Sequence, residues 1–145
     1  MKVSLVETCL LCHPELDPEQ TILLSNEHCL FLQLTHAKDM QVTLAGAGII
    51  VPRQHRETVF DLTSDEWNDT YALLHEAKRH IDKMYHPQGY NIGWNCGETG
   101  GQHLPHAHLH VLPRSADEVY AGIGIRHLFK SDSNARGIAN PSSTH

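Results

Sequence analysis

The chain alternates short apolar runs, each bounded by turn residues, with one long stretch of helical periodicity. "TILL" closes on "SNEH", a polar cluster that reads as a turn, and "CLFLQL" follows it. "QVTLA", "GIIVP", "YNIGWN" and "HAHLHVL" have the same form and read as further strands. Between "GIIVP" and "YNIGWN" lies "ETVFDLTSDEWNDTYALLHEAKRHIDKMYHPQGY". Thr63 and Glu66 stand there at capping-box spacing, which predicts a helix start just after Thr63. Trp67, Tyr71, Leu74, Ile81 and Tyr85 then recur at helical spacing and predict one buried stripe, and Pro87 and Gly89 stop the helix. At about 1.5 Å per residue such a helix is about 33 Å long, enough to cross a sheet. Strands outnumber the helix, and several are close enough to pair as hairpins. The pattern therefore predicts an α+β fold: an antiparallel sheet of about five strands with one long helix packed on it. Residues 1–115 carry this pattern. Residues 116–145 read as a C-terminal extension whose polar end, "SDSNARGIANPSSTH", is expected to be mobile or to dock on a partner subunit.

Composition narrows the classes. With 145 residues, 40% hydrophobic and 19% charged, the chain suits one globular domain with a real core. A formal net charge of -6 argues against a nucleic-acid polymer as partner, since a polyanion selects a basic surface. A small phosphate-bearing ligand is compatible with it. No run approaches the roughly 20 apolar residues of a membrane span, and "MKVSLVETCLLC" lacks the form of a signal peptide, so the expected compartment is the cytoplasm. Thiols there stay free or bind metal. Cys9 and Cys12 have C-x-x-C spacing, which suits half of a zinc site or a redox pair, whereas Cys29 and Cys96 lie in apolar stretches and are expected to pack as small hydrophobes.

The chemistry concentrates in "HLPHAHLHVLPR", where His106, His108 and His110 alternate with Ala107 and Leu109. Thirteen of 145 residues are histidine, so composition alone yields such a triplet about one time in ten; requiring apolar neighbours as well leaves a few parts per thousand. In a strand, Ala107, Leu109 and Val111 would enter the core and the three imidazoles would line the other face. Two chemistries want such a row. A His-x-His pair can hold a metal. Alternatively, a neutral imidazole can attack phosphorus while its neighbour meets the phosphate oxygens, a task suited to a pKa near 6.5. The preceding loop, "NCGETGGQH", tilts the balance towards phosphoryl chemistry, because glycines let backbone N–H groups approach phosphate closely.

"HAHLHVL" has the H-φ-H-φ-H-φ-φ pattern of the histidine triad, or HIT, family, and "GYNIGWNCGETGGQHLPHAHLHVLPR" resembles the family's C-terminal signature along its whole length. "IIVPRQH" is similar to the family's strand ending in proline, two polar residues and histidine, and "CLLC" resembles its zinc-type members. The resemblance covers roughly residues 9 to 115. It implies a homodimer that binds nucleotides and cleaves or transfers at the α-phosphate, through a covalent nucleotidyl intermediate on His108. It assigns His106, His108 and His110 to the catalytic row, with His110 on the phosphate oxygens. Asn95, Gly101, Gln102 and His103 would line the substrate, His103 near the leaving-group oxygen. It also implies a structural zinc on Cys9, Cys12, His55 and His106, a closed tetrahedron, with no organic cofactor.

Two positions depart from the family's pattern. Ala47 stands where a further histidine is common, which leaves the nucleophile intact and points to slower turnover. Leu34 stands where many members keep an Asp or Asn on the ribose hydroxyls, and Asp39 in the long stretch before Pro52 is a candidate substitute. These departures keep a second expectation open, a nucleotide-binding scaffold with weak or no catalysis. A third makes the histidine row itself a catalytic metal site on His108 and His110.

Overall fold

The computed structural model describes residues 5–35, 43–134 and 136. Asp39 and most of the polar tail lie outside them. The chain forms two compact units, residues 1–115 and 116–145.

In the first unit, a short helix α1 (Leu5–Thr8) precedes strands β1 (Gln20–Ser25), β2 (Cys29–Leu34) and β3 (Gly48–Pro52). The long helix α2 (Ser64–Tyr85) follows, and β4 (Gly89–Trp94) and β5 (Leu109–Arg114) complete one sheet of order β1-β2-β3-β5-β4. Every neighbouring pair is antiparallel. The expected five-stranded sheet with its helix is therefore the fold. Of "QVTLA", Thr43–Ala45 form a bend and turn leading into β3 rather than a strand. In the second unit the described elements are α3 (Arg126–Phe129) and a 3₁₀ turn, Asp132–Asn134.

Helix α2 begins as its sequence dictates. The Thr63 side chain accepts from Glu66 N, and the Glu66 side chain accepts from Thr63 N. The helix ends at His86, which takes the left-handed conformation with φ 51°, and Pro87 follows at once. The buried stripe differs from the expected one. Thr70, Leu73, Ala77 and Ile81 face the sheet, whereas Trp67 and Tyr71 are 53% and 65% exposed and Tyr85 is exposed as well. Only Ile81 belongs to both sets. The stripes are neighbours, about 100° apart around the helix, and the inward one carries the smaller side chains. Small residues let the helix approach the sheet closely, so the bulky aromatics occupy the flank.

The sheet's two faces are distinct. Cys29, Phe31, Ile50, Leu109 and Val111 pack with Leu73, Ala77 and Ile81 under α2. On the opposite face Leu30, Leu32 and Val51 are covered by Leu11 from the N-terminal segment. Ile22, Leu32, Ile49, His110 and Gly93 are successive cross-strand partners, so they form one row over all five strands on this second face. The histidine stretch thus stands on the side away from the helix, at the end of an apolar row.

Candidate functional site

The triad strand starts later than its alternation predicts. Ala107, Leu109 and Val111 are buried as expected, but β5 begins at Leu109. The reason lies in the backbone: Ala107 N donates to Arg56 O at 2.6 Å, so His106–His108 run off the ladder onto the segment after β3. That segment is consequently part of the site.

His106 is fully buried. Its Nε2 donates to the Pro52 carbonyl at 2.8 Å, which leaves Nδ1 unprotonated. Nδ1 lies 3.4 Å from the sulfurs of both Cys9 and Cys12, and His55 Nδ1 lies 3.3 Å from Cys12 Sγ. The four ligand atoms of Cys9, Cys12, His55 and His106 all lie within 4.8 Å of one another. Tetrahedral zinc with its usual bond lengths places sulfur and nitrogen about 3.5 Å apart. The set therefore fits such an ion, with the second nitrogen of His106 already engaged. Burial lowers the His106 pKa to about 4, so the ring stays neutral, and burial with the neighbouring Cys9 raises Cys12 to about 11. Both ring nitrogens of His106 are thus engaged, Nε2 by the Pro52 carbonyl and Nδ1 by the two cysteine sulfurs.

His108 is 8% exposed. Its Nδ1 donates to the His106 carbonyl at 2.8 Å, since a carbonyl can only accept. Nε2 then carries the lone pair, and the ring meets His110 edge-on with centroids 4.9 Å apart. Burial lowers the His110 pKa, with smaller contributions from the charges of His108 and His103, so His110 is neutral at neutral pH. His108 and His110 join no group of three or more potential metal ligands among the described residues. Of the row, His106 is the member that joins such a group among the described residues.

The glycine-rich loop turns several of its N–H groups onto itself. Gly97 N donates to the Gln102 side chain, Gly100 N and Gln102 N donate to Gly97 O, and Gly101 N donates to Glu98 O. Four of its N–H groups are thus spent within the loop. Gly101, at φ 94°, is where only glycine sits without strain, and a side chain on Gly100 would meet Cys96 O at 2.5 Å. Gln102 has all its polar atoms engaged: Oε1 accepts from Gly97 N at 2.8 Å, and Nε2 donates to Glu57 O at 2.6 Å and Leu104 O at 2.9 Å. Asn95 is exposed and its Nδ2 reaches Gly101 O at 3.4 Å. His103 is exposed and lines a cleft of about 310 Å³ with Glu57, Gly97, Glu98, Gln102 and Pro105.

Leu34 and Ala47 line one further cleft, of about 220 Å³, with Gln33 and Tyr85. Cys29 is buried as expected, its sulfur beside Thr70 Oγ1 at 3.4 Å, and Cys96 is half-buried. The sequence left Arg56 unassigned and read Glu66 only as a helix cap. Arg56 Nε donates to the Glu66 carboxylate at 2.9 and 3.1 Å, and Glu66 is 2% exposed. The Arg56 guanidinium and the Thr63 N–H hold the Glu66 carboxyl below its ordinary range against the opposing effect of burial.

An antiparallel sheet with one helix across it and a histidine row on the opposite face defines a class, and the comparisons agree on it. The HIT domain profile matches residues 17–117, and this chain belongs to the HIT family. It is 29% identical over 76 residues to the asymmetrical bis(5'-nucleosyl)-tetraphosphatase of Schizosaccharomyces pombe, covering 52% of this chain and 42% of that protein. It is 26% identical over 86 residues to an adenosine 5'-monophosphoramidase of the same organism, covering 59% and 62%. The chain thus spans less than two thirds of either relative. A HIT family protein from Bacillus anthracis superposes with a TM-score of 0.69 at 26% identity, over 88% of this chain and 85% of that one.

Proposed function

We propose that this protein is a nucleotide hydrolase or nucleotidyl transferase acting at the α-phosphate of a nucleoside phosphoramidate or dinucleoside polyphosphate. The observation that carries the reading is the His108 ring, whose Nδ1–H is held by the His106 carbonyl so that Nε2 is the nucleophilic nitrogen. The activities named for the two fission-yeast relatives support the reaction class.

In the proposed sequence, His108 Nε2 forms a bond to the α-phosphorus as the bond to the leaving group breaks. His103 gives the departing atom its proton. The resulting nucleotidyl-imidazolium keeps its Nδ1–H on the His106 carbonyl, and its positive charge makes the ring a good leaving group because it departs as neutral imidazole. Water, or another acceptor, then bonds to phosphorus through its oxygen and returns a proton to His103, while the P–N bond breaks and its electron pair goes back to Nε2. His110 and Asn95 meet the charge on the phosphoryl oxygens, while Gly101 and Gln102 shape the loop that carries them.

The Cys9, Cys12, His55 and His106 group holds a structural zinc in this reading. Bound there, zinc supplies no chemistry to the reacting phosphate and pins the N-terminal segment to the sheet. Residues 1–115 act as the nucleotide-binding domain and 116–145 as an extension. The proposed compartment is the cytoplasm, where reduced thiols such as the Cys9 and Cys12 pair persist as metal ligands. Among the described residues no helix is long and apolar enough to cross a membrane.

The homodimer expectation has a physical basis in one flank of the first unit. Trp67 stacks on Trp94 of the edge strand β4 at 6.5 Å, and the two line an apolar groove with Tyr71, Leu74 and Ile92. A second copy of the chain is the occupant we propose for it.

Leu34 and Ala47, both aliphatic and lining the same cleft, favour a second reading, a nucleotide-binding protein with weak turnover. Hydrolysis of adenosine phosphoramidate and diadenosine tetraphosphate decides between them. Wild-type turnover that His108→Ala abolishes, with zinc content unchanged, supports the enzyme; nucleotide binding without turnover supports the alternative.

A further inference from the structure

Three consecutive residues after β3 each hold a different part of the site. His55 turns its ring to the metal group, Arg56 gives its carbonyl to Ala107 N at 2.6 Å, and Glu57 gives its carbonyl to Gln102 Nε2 at 2.6 Å. Ala107 lies between the metal ligand His106 and the nucleophile His108, and Gln102 closes the glycine loop. The spacing among these three parts is therefore the spacing along one short segment.

That segment is fixed from one side chain. Arg56 Nε donates to both oxygens of Glu66, at 2.9 and 3.1 Å, and Glu66 Oε1 also accepts from Thr63 N at 2.8 Å. A capping glutamate needs only the Thr63 N–H and is ordinarily solvated. Here it is 2% exposed, and a buried carboxylate without a cation carries a large desolvation cost. The cation it has is Arg56, so the arginine cannot leave its place without stranding that charge.

We infer that Glu66 and Arg56 form a positioning pair, which aims the Arg56 carbonyl at Ala107 and so sets nucleophile, metal group and glycine loop relative to one another. Neither residue touches substrate. For its kinetic consequence the inference rests on the nucleotidyl-transfer reading; for its structural consequence it does not.

Glu66→Gln keeps the size and the acceptor for Thr63 N while removing the charge. Arg56→Lys keeps the charge while losing the planar guanidinium. In folded Glu66→Gln, Ala107 amide exchange measured by NMR is expected to accelerate at least tenfold, and EDTA to withdraw zinc at least tenfold faster. The kcat is expected to fall about tenfold with KM within twofold, and Arg56→Lys to show the same three changes at smaller size. A pair that merely stabilises the fold would lower the Tm and leave Ala107 exchange and kcat alone, and that result overturns the inference. If the wild-type protein forms no nucleotidyl adduct, the functional reading fails, and Ala107 exchange alone decides the positioning role. If Glu66→Gln does not fold, Arg56→Lys carries the same readouts, and wild-type exchange at Ala107 in that variant is equally fatal.

Discussion

His108 Nδ1 sits 2.8 Å from the carbonyl oxygen of His106, the residue whose own ring faces the sulfurs of Cys9 and Cys12. One peptide thus joins a metal-fitting group to the proposed nucleophile. Side chain and carbonyl of the same residue do different work: the ring fastens the N-terminal segment, and the carbonyl selects the tautomer of its neighbour.

That connection makes the metal group matter to turnover without entering it. Purified protein should contain about one zinc per chain by elemental analysis. Cys12→Ser should lose most of it, lower the Tm by roughly 5 °C or more, and reduce kcat more than it raises KM. A Cys12→Ser protein with full zinc, or one with none and unchanged kinetics, contradicts the arrangement.

Outside the site, His28 bonds Asp69 at the start of α2 through both its backbone N, at 3.0 Å, and its ring Nδ1, at 2.7 Å. The Asp69 carboxylate raises the His28 pKa above 6.5 in the folded state. The ring's contribution to stability is therefore present in full below pH 6.5 and is lost as pH rises through the folded pKa. Urea midpoints of His28→Gln should fall below those of the wild type at pH 5 to 6, and the gap should narrow as pH rises past that value. A gap that widens with pH would give the interaction the wrong sign.

The Gln102 side chain bonds Gly97 N and the Glu57 and Leu104 carbonyls, so its replacement should disturb the loop. Gln102→Glu sets a carboxylate against the Glu57 and Leu104 carbonyls that Nε2 now serves. Lost hydrogen bonds of this kind cost about 1 kcal/mol each, and kcat should drop about tenfold or more. Steady-state kinetics with unfolding curves check both.

The apolar flank should disappear into a dimer. Sedimentation velocity at micromolar concentration is expected to give a dimer for the wild type and a monomer for Tyr71→Glu, because a charge would be buried against the second copy. A wild-type monomer, or an unaffected dimer in the variant, places the interface elsewhere.

Much of this was legible in the chain. Alternation fixed Ala107, Leu109 and Val111 as core, and the Thr63–Glu66 spacing located the start of α2. The C-x-x-C pair and the two histidines meet where the resemblance implied. The helix stripe was misplaced because aromatic weight and burial part company where a helix packs closely on a sheet: Ala77 and Thr70 face inward and Trp67 does not. The late start of β5 and the inward-turned loop were not readable, since both depend on where a backbone N–H finds its acceptor, and that is tertiary. Arg56 carried no local signal at all, because its partner lies ten residues away on another element.

The most direct measurement is mass-spectrometric mapping of the adduct trapped by acetone quench, under base-stable conditions, during turnover of adenosine phosphoramidate. The account predicts an adenylyl group on His108, absent in His108→Ala and accumulating when the second step is slowed. Turnover with the label on another residue, or with no protein-bound nucleotide at single-turnover resolution, would contradict it.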